Sequence, residues 1–186
     1  MKLRLFIAIE LPDSIKRSLA SLQGKMEKAL PPLRWVKPEA IHLTLKFLGH
    51  VKEDTLPGIK EIVTAVAEGS RPFTVVFSGI GAFPNMRRPR VVWVGVREES
   101  GELRGIAERM DRMAARLGIT IEKRPYKPHL TIGRVRGRGG GNFGEALPLF
   151  KDEEIGKMRV DEISLIRSEL TPKGAIYTAL HRARLS

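Results

Sequence analysis

Apolar residues follow two periods along this chain, and the alternation between them predicts its elements. Residues 3–9 form an apolar, β-rich run bounded by Glu10 and Pro12, which predicts a buried strand. Behind it, Ile15, Leu19, Leu22, Met26 and Ala29 keep helical spacing, and Asp13 or Ser14 can cap that helix. Pro31-Pro32 stops it. Arg34-Trp35-Val36 predicts a short strand, followed by a Lys37-Pro38-Glu39 turn and a strand beginning near Ile41. A second helix is expected over 53–68, with Leu56, Ile59, Val63 and Val66 on one face and Pro57 in its first turn. Strand 72–78 leads into a Gly-, Pro- and Arg-rich loop from Gly79 to Pro89.

The series then restarts. Residues 90–96 predict a strand, and Ser100 can cap a helix that turns Leu103, Ile106, Met110, Met113 and Leu117 inward. Gly118 is expected to end it in the left-handed conformation. A strand over 119–123 and the turn Arg124-Pro125-Tyr126-Lys127-Pro128 precede another apolar strand. Two long strands, about 158–168 and 174–182, close the chain around Thr171-Pro172-Lys173-Gly174. Strand, helix, strand, proline turn, strand therefore occurs twice, which reads as two similar lobes. Each half is small for an independent core, so residues 1–186 are expected to form one bilobal α+β domain. Its sheets would be mainly antiparallel, with helices outside and a cleft between the lobes.

The two strands after the proline turns share a tripeptide. One reads Ile41-His42-Leu43-Thr44-Leu45-Lys46-Phe47-Leu48-Gly49 and the other Pro128-His129-Leu130-Thr131-Ile132-Gly133-Arg134. The copies lie 87 positions apart (129 − 42), and their settings agree, since Leu5 precedes His42 and Val92 precedes His129 by the same 37 positions. On a strand, residues i and i+2 point the same way. His42 and Thr44 thus share a face, with Leu43, Leu45 and Phe47 on the core side; His129 and Thr131 share one above Leu130 and Ile132. Two imidazoles and two hydroxyls around a cleft suit a phosphate. A neutral imidazole can take a proton from an attacking oxygen, and an imidazolium can give one to the leaving oxygen. Arg134 is the natural clamp on the phosphate. Strict alternation would put it on the core side, so a strand end or bulge at Gly133 is expected to turn it into the cleft.

Other polar residues read differently. His50 is expected in a loop past the first motif strand and His181 on the surface. Lys46 shares parity with His42 and can reach the cleft rim. Tyr126 can stack on a base or pack its turn. Arg87, Arg88, Arg90, Arg136 and Arg138 can form a rim that tracks phosphates.

The net charge of +12 favours polyanionic partners, RNA or DNA before a membrane. The absence of cysteine excludes disulfides, thiolate nucleophiles and Cys-based zinc sites. Neither motif has a carboxylate or second histidine at ligand spacing, so no metal or cofactor is expected. Asn85, Asn142 and Gln23 are the only amide side chains, a composition that suits a protein working hot. The apolar opening stretch is cut short by Glu10 and lacks a cleavage pattern, and no segment is long and apolar enough to span a bilayer, so a cytoplasmic location is expected.

These residues bear a family resemblance. The paired His42-Leu43-Thr44-Leu45 and His129-Leu130-Thr131-Ile132 resemble the two signature motifs of the two-histidine (2H) phosphoesterases. Arg4-Leu5-Phe6-Ile7-Ala8-Ile9, Arg34-Trp35-Val36, Phe47-Leu48-Gly49 and the run from Pro128 to Arg134 are similar to the RNA 2′,3′-cyclic phosphodiesterases, also called the 2′-5′ RNA ligase family. The resemblance implies a bilobal, pseudo-symmetric, metal-free enzyme that opens terminal 2′,3′-cyclic phosphates on RNA to a 2′-phosphate. It implies that His42 protonates the leaving 3′-oxygen and His129 activates water, while Thr44, Thr131 and Arg134 hold the phosphate. His50 departs from the acidic residue expected after Leu-Gly. Two alternatives stand beside hydrolysis. The same site run in reverse would join RNA ends through a 2′-5′ linkage, and a non-catalytic RNA-binding module would use the basic rims and leave the histidines as packing. A monomer is expected, since one chain carries both half-sites.

Overall fold

A computed structural model describes residues 1–135, 142–172 and 174–186. The strands are β1 (Lys2–Glu10), β2 (Leu33–Trp35), β3 (His42–Lys52), β4 (Phe73–Phe83), β5 (Val91–Arg97), β6 (His129–Val135), β7 (Glu154–Val160), β8 (Glu162–Thr171) and β9 (Gly174–Arg184). The helices are α1 (Asp13–Glu27), α2 (Leu56–Glu68), α3 (Glu102–Ala115) and a short α4 (Phe143–Ala146). One sheet has the order β3-β1-β8-β9 and the other β2-β6-β5-β4-β7, with antiparallel pairing throughout.

The two orders correspond strand for strand, β3-β1-β8-β9 to β6-β5-β4-β7, with β2 added at the second sheet's edge. The lobes are nevertheless not the two halves of the sequence. β2 and β4 come from the first half yet sit in the second sheet, and β8 and β9 return to the first. Each sheet thus needs chain from both halves, which ties the lobes into one core of contiguous buried side chains. The expected strand over 158–168 is split at Asp161, where the chain leaves one sheet for the other.

Helix α1 buries Ile15, Leu19, Leu22 and Met26, as its spacing dictates, and packs on β7. Full burial of each such side chain contributes roughly 1.5–3 kcal/mol. No side chain caps α1; Pro12 occupies the N-cap and Ala29 lies beyond the last turn. Helices α2 and α3 cover the face of the first sheet that carries Leu3, Leu5, Ile7 and Ile9. At α3 Gly101 holds the N-cap position, and two side chains before it accept first-turn amides at 3.3 Å each, Ser100 Oγ from Glu102 and Glu98 Oε2 from Leu103. Leu117 stays partly exposed, and Gly118 takes the left-handed conformation at φ 75°.

Two further expectations change. β4 runs on to Phe83 with a register shift after Phe77, so the Gly-rich stretch from Gly79 is strand before it is loop. Residues 119–123 are not a strand. They run beside β3, where Thr120 gives its carbonyl to Lys46 Nζ at 3.0 Å and Glu122 gives its amide to Asp111 Oδ1 at 3.1 Å. Side chains therefore hold this segment where backbone pairing was expected. Arg136 and Arg138 lie outside the described residues.

Candidate active site

The first sheet has a second face, away from α2 and α3. It carries Phe6, Ala8 and Ile166, with His42 and Thr44 alongside. Thr44 lies opposite Ala8 and His42 opposite Glu10. On the second sheet, His129 lies opposite Gly95 and Thr131 opposite Trp93. Strands β3 and β6 approach one another, and Tyr126, in the turn before β6, ties that turn to β3 by donating its hydroxyl to the Thr44 carbonyl at 3.0 Å. Tyr126 is thus a packing residue, and burial raises its pKa further above the ordinary value.

Both imidazoles are oriented by the same device. His42 Nδ1 donates to the Ala40 carbonyl at 3.0 Å, and His129 Nδ1 donates to the Lys127 carbonyl at 2.6 Å. A carbonyl can only accept, so each neutral ring carries its proton on Nδ1 and leaves Nε2 free for chemistry. Each ring also has an aromatic seat at the same sequence spacing. Phe6 stacks on His42 at 4.5 Å, and Trp93 lies 6.1 Å from His129; both stand 36 positions before their histidine. Tyr177 meets His42 edge-on at 5.2 Å, as Phe83 meets His129 at 5.0 Å. Gly81 makes the Trp93 seat possible, because a Cβ there would fall 2.1 Å from the indole ring.

Bulges then decide where the residues beyond each motif point. In β3 the register shifts so that Leu45 has no partner, and in β6 Ile132 has none. These are the same motif position. The bulge after Thr131 falls one residue before the expected Gly133, and it restores Arg134 to the face of His129 and Thr131, where the guanidinium is exposed. The freed Ile132 carbonyl accepts from Val36 N at 3.0 Å and from the buried Gln23 side-chain amide, also at 3.0 Å. The matching bulge in β3 reverses two expectations. Lys46 turns inward to 6% exposure and pairs with Asp111, while Phe47 turns out to 66% exposure, in the place that Arg134 holds in the other lobe. A second shift leaves Leu48 unpaired and puts His50 opposite Arg4, within β3 and not in a loop. His181 accounts for itself through a 2.8 Å hydrogen bond with Thr64 Oγ1. Arg87 and Arg88 lend their backbone amides to Asn85 Oδ1, with Arg88 and Arg90 exposed.

The two histidines differ in electrostatics. Burial lowers the His42 pKa to about 4, against small upward pushes from the Ala40 carbonyl and the Glu10 charge. Burial also lowers His129; the Lys127 carbonyl opposes it, while the charges of Lys127 and Arg134 push further down. Burial pushes Glu10 up, but hydrogen bonds from Arg182 and Ser164 outweigh it and hold the carboxyl below its ordinary value. So one imidazole faces a carboxylate and the other faces cations. Among the described residues no three His, Asp or Glu side chains gather as a metal would need, and no helix is long and apolar enough to cross a membrane.

Two pseudo-symmetric sheets, each presenting a His-x-Thr strand, define a two-histidine phosphoesterase. The family described as LigT-like phosphoesterase matches the chain twice, over residues 9–93 and 94–177, and the chain belongs to it. An RNA 2′,3′-cyclic phosphodiesterase of Methanothermobacter thermautotrophicus is 39% identical over 186 residues, covering 100% of both chains. One of Archaeoglobus fulgidus is 39% identical over 178 residues, with 96% of this chain and 98% of that one covered. A solved structure from Thermus thermophilus superposes with a TM-score of 0.83 at 31% identity, covering 98% of each chain. E. coli LigT complexed with 3′-AMP gives 0.78 at 28% identity, over 100% of this chain and 99% of that one. The expectation of a protein that works hot agrees with the sources of several relatives.

The aromatic seats, Glu10 and the outward Phe47 are not singled out by the sequence reading. The repeat that pairs Leu5 with Val92 also pairs Phe6 with Trp93 one step further on, and that is the signal that could have found the seats.

Proposed function

We propose that this chain hydrolyses the terminal 2′,3′-cyclic phosphate of RNA to a 2′-phosphate by two-histidine acid–base catalysis, without a metal or cofactor. His129 Nε2 takes a proton from water as the water oxygen attacks phosphorus. The P–O3′ bond breaks, and His42 Nε2 gives its proton to the departing O3′. Thr44, Thr131 and Arg134 hold the non-bridging oxygens, whose charge grows in the transition state. Phe47, exposed beside Phe6, lays its ring against the terminal base.

The observation that carries the assignment is the opposite charge around two rings with the same Nδ1 tether, set against burial, which is the larger influence at both and keeps each ring neutral in the free protein. A bound phosphate anion raises both pKa values. At His129, Arg134 and Lys127 oppose that rise and keep the ring a base. At His42, Glu10 adds to it and favours the imidazolium. Relatives named RNA 2′,3′-cyclic phosphodiesterase, and E. coli LigT structures holding 3′-AMP or phosphate, support this substrate class. Attack by an RNA 5′-hydroxyl in place of water would give 2′-5′ joining, but water is far more concentrated and hydrolysis dominates unless the hydroxyl is well positioned. One chain carries both motifs, so a monomer suffices. The RNA substrate and the lack of cysteine favour the cytoplasm.

The test is RNA ending in a 2′,3′-cyclic phosphate, incubated with an excess of chelator. A 2′-phosphate product is expected, and His42→Ala and His129→Ala should each lower the rate by about 10²–10⁴. A 3′-phosphate product, loss of activity in chelator, or a fully active single variant would each overturn the assignment.

A further inference from the structure

Beyond the Leu5–Arg167 pair, β1 and β8 no longer hydrogen-bond, and a notch of about 250 Å³ opens between them. Lys2 and Arg4 line one wall, Arg167, Ser168 and Glu169 the other, and His50 lies across from Arg4 on β3. Arg4 sits two residues from Phe6 on a strand without a bulge of its own, so it points to the same face as Phe6 and His42. The notch therefore opens on the surface that carries the candidate active site.

Its charge is arranged as a phosphate would need. Arg4 Nη1 donates to Ser168 Oγ at 2.7 Å, a contact that orients the guanidinium without neutralising it. Among the described residues, no carboxylate pairs with Arg4 or Lys2, whereas Arg167 is paired with Glu169 at 2.6 Å. Glu169 is therefore already answered, and Arg4 and Lys2 leave a net positive charge in a concave site.

We infer that this notch binds a backbone phosphate of the RNA on the 5′ side of the reacting end. The inference rests on the cyclic phosphodiesterase reading above and adds what that reading lacks, a contact that tells an RNA end from a cyclic mononucleotide. From the level of Thr44, opposite Ala8, to that of His50, opposite Arg4, β1 advances four residues, about 13 Å at about 3.3 Å each. One stacked nucleotide advances a strand by about 3.4 Å. A cyclic mononucleotide held at His42 has no second phosphate to place there. A strand of a few nucleotides has one, and its only free direction from a 3′-terminal cyclic phosphate is upstream. The track along β1 then runs from the reacting phosphate at His42 and Thr44, past the rings of Phe6 and Phe47, to Arg4 and Lys2.

The experiment compares kcat/KM for a short oligoribonucleotide ending in a 2′,3′-cyclic phosphate with that for 2′,3′-cyclic AMP, in the parent protein and in Arg4→Ala, Arg4→Lys and Lys2→Ala. For Arg4→Ala we expect about a tenfold loss confined to the oligoribonucleotide and carried by KM. Its salt dependence on that substrate should become shallower by about one unit of logarithmic slope. Arg4→Lys should retain most of the preference, and the exposed Lys2→Ala should lose a smaller part of it with folding intact. Equal losses on both substrates would make Arg4 a structural residue and overturn the inference, as would no loss on either. A parent protein active on neither substrate would instead reject the reading of function. Binding of a 2′-phosphate-ended oligoribonucleotide, followed by fluorescence anisotropy, would then still decide the notch. Unchanged affinity in both Arg4→Ala and Lys2→Ala overturns it.

Discussion

Strands β3 and β6 begin as copies and part at the fourth and fifth residues after the histidine. Both place a histidine and a threonine on one face, tether Nδ1 to a carbonyl two residues back, and bulge at the third residue after the histidine. Beyond that bulge one offers an exposed phenyl ring, Phe47, and the other a guanidinium, Arg134. The scaffold is symmetric, while hydrolysis of a cyclic phosphate is not, since one oxygen gains a proton as another loses one. The difference lies in the few side chains around each ring. Glu10 lies beside His42, and Lys127 and Arg134 beside His129.

The largest break in this comparison comes from changing these two residues. Arg134→Ala should lower kcat/KM about 10²–10³-fold, the usual cost of losing a donor to a developing oxyanion. Phe47→Ala should cost about tenfold, expressed when a base is present to stack. Phe47→Arg sharpens the contrast. A cation beside His42 disfavours its imidazolium, so kcat should fall even though phosphate binding strengthens. Steady-state kinetics with the cyclic-phosphate RNA check all three. Equal losses for Arg134→Ala and Phe47→Ala would mean that the two lobes do the same work.

Much of this is legible in the sequence, and most of the misplaced side chains have a common cause. Period-2 and period-3.6 patterns locate β1, α1, α2, α3 and both motif strands, and the repeated His-x-Thr identifies the family. The failures cluster at bulges. Period 2 assigns Phe47 to the core and Lys46 to the cleft, and one unpaired residue, Leu45, reverses both. Bulges leave no compositional mark in an apolar run, because every residue around them is strand-forming. At Arg134 the expected role itself calls for a bulge, since a phosphate clamp on the core side makes no sense. Lys46 poses the same conflict in reverse, but a lysine on the cleft rim is chemically acceptable, so nothing there demands a bulge. The exchange of strands between the halves is equally hidden, because local patterns specify elements and not the sheet they join.

A smaller effect separates the two rings by pH. In the proposed mechanism, the base at His129 is lost as pH falls and that ring takes a proton, and the acid at His42 is lost as pH rises and that ring gives its proton up. Burial lowers both from the ordinary 6.5, His42 to about 4. The kcat/KM profile, which reports the free enzyme, should therefore be bell-shaped with both limbs below 6.5. The kcat profile reports the complex, where the phosphate anion favours imidazolium, and should shift to higher pH. A kcat/KM profile with its alkaline limb well above 6.5 would remove the buried His42 from the role of acid. Folding stability obeys a related sign. The folded chain keeps His42 neutral, while the unfolded chain binds a proton below about 6.5. This contribution is present in full above that pH and is lost as pH falls toward about 4, so the melting temperature should decline across that window.

The smallest effect tests why the residues just before Phe47 and Arg134 differ. Gly133 in β6 lies against the Trp35 ring at the β2 edge. Lys46 in β3, which is the edge of its sheet among the described residues, reaches Asp111 of α3 and the Thr120 carbonyl. The ion pair substitutes for the strand that 119–123 does not form. Removing one partner of a buried pair costs about 3–5 kcal/mol, because the other charge is left unanswered. Asp111 keeps 20% side-chain exposure and can be hydrated, so Lys46→Met should cost less, about 2 kcal/mol. The paired change Lys46→Met with Asp111→Leu should recover part of that loss by leaving no orphaned charge. Denaturant unfolding measures both, and catalysis should fall only so far as the segment leading to Tyr126 and His129 loosens. If Lys46→Met were as stable as the parent, the segment beside β3 would be held by packing alone, and the ion pair would have no part in setting the two motifs against each other.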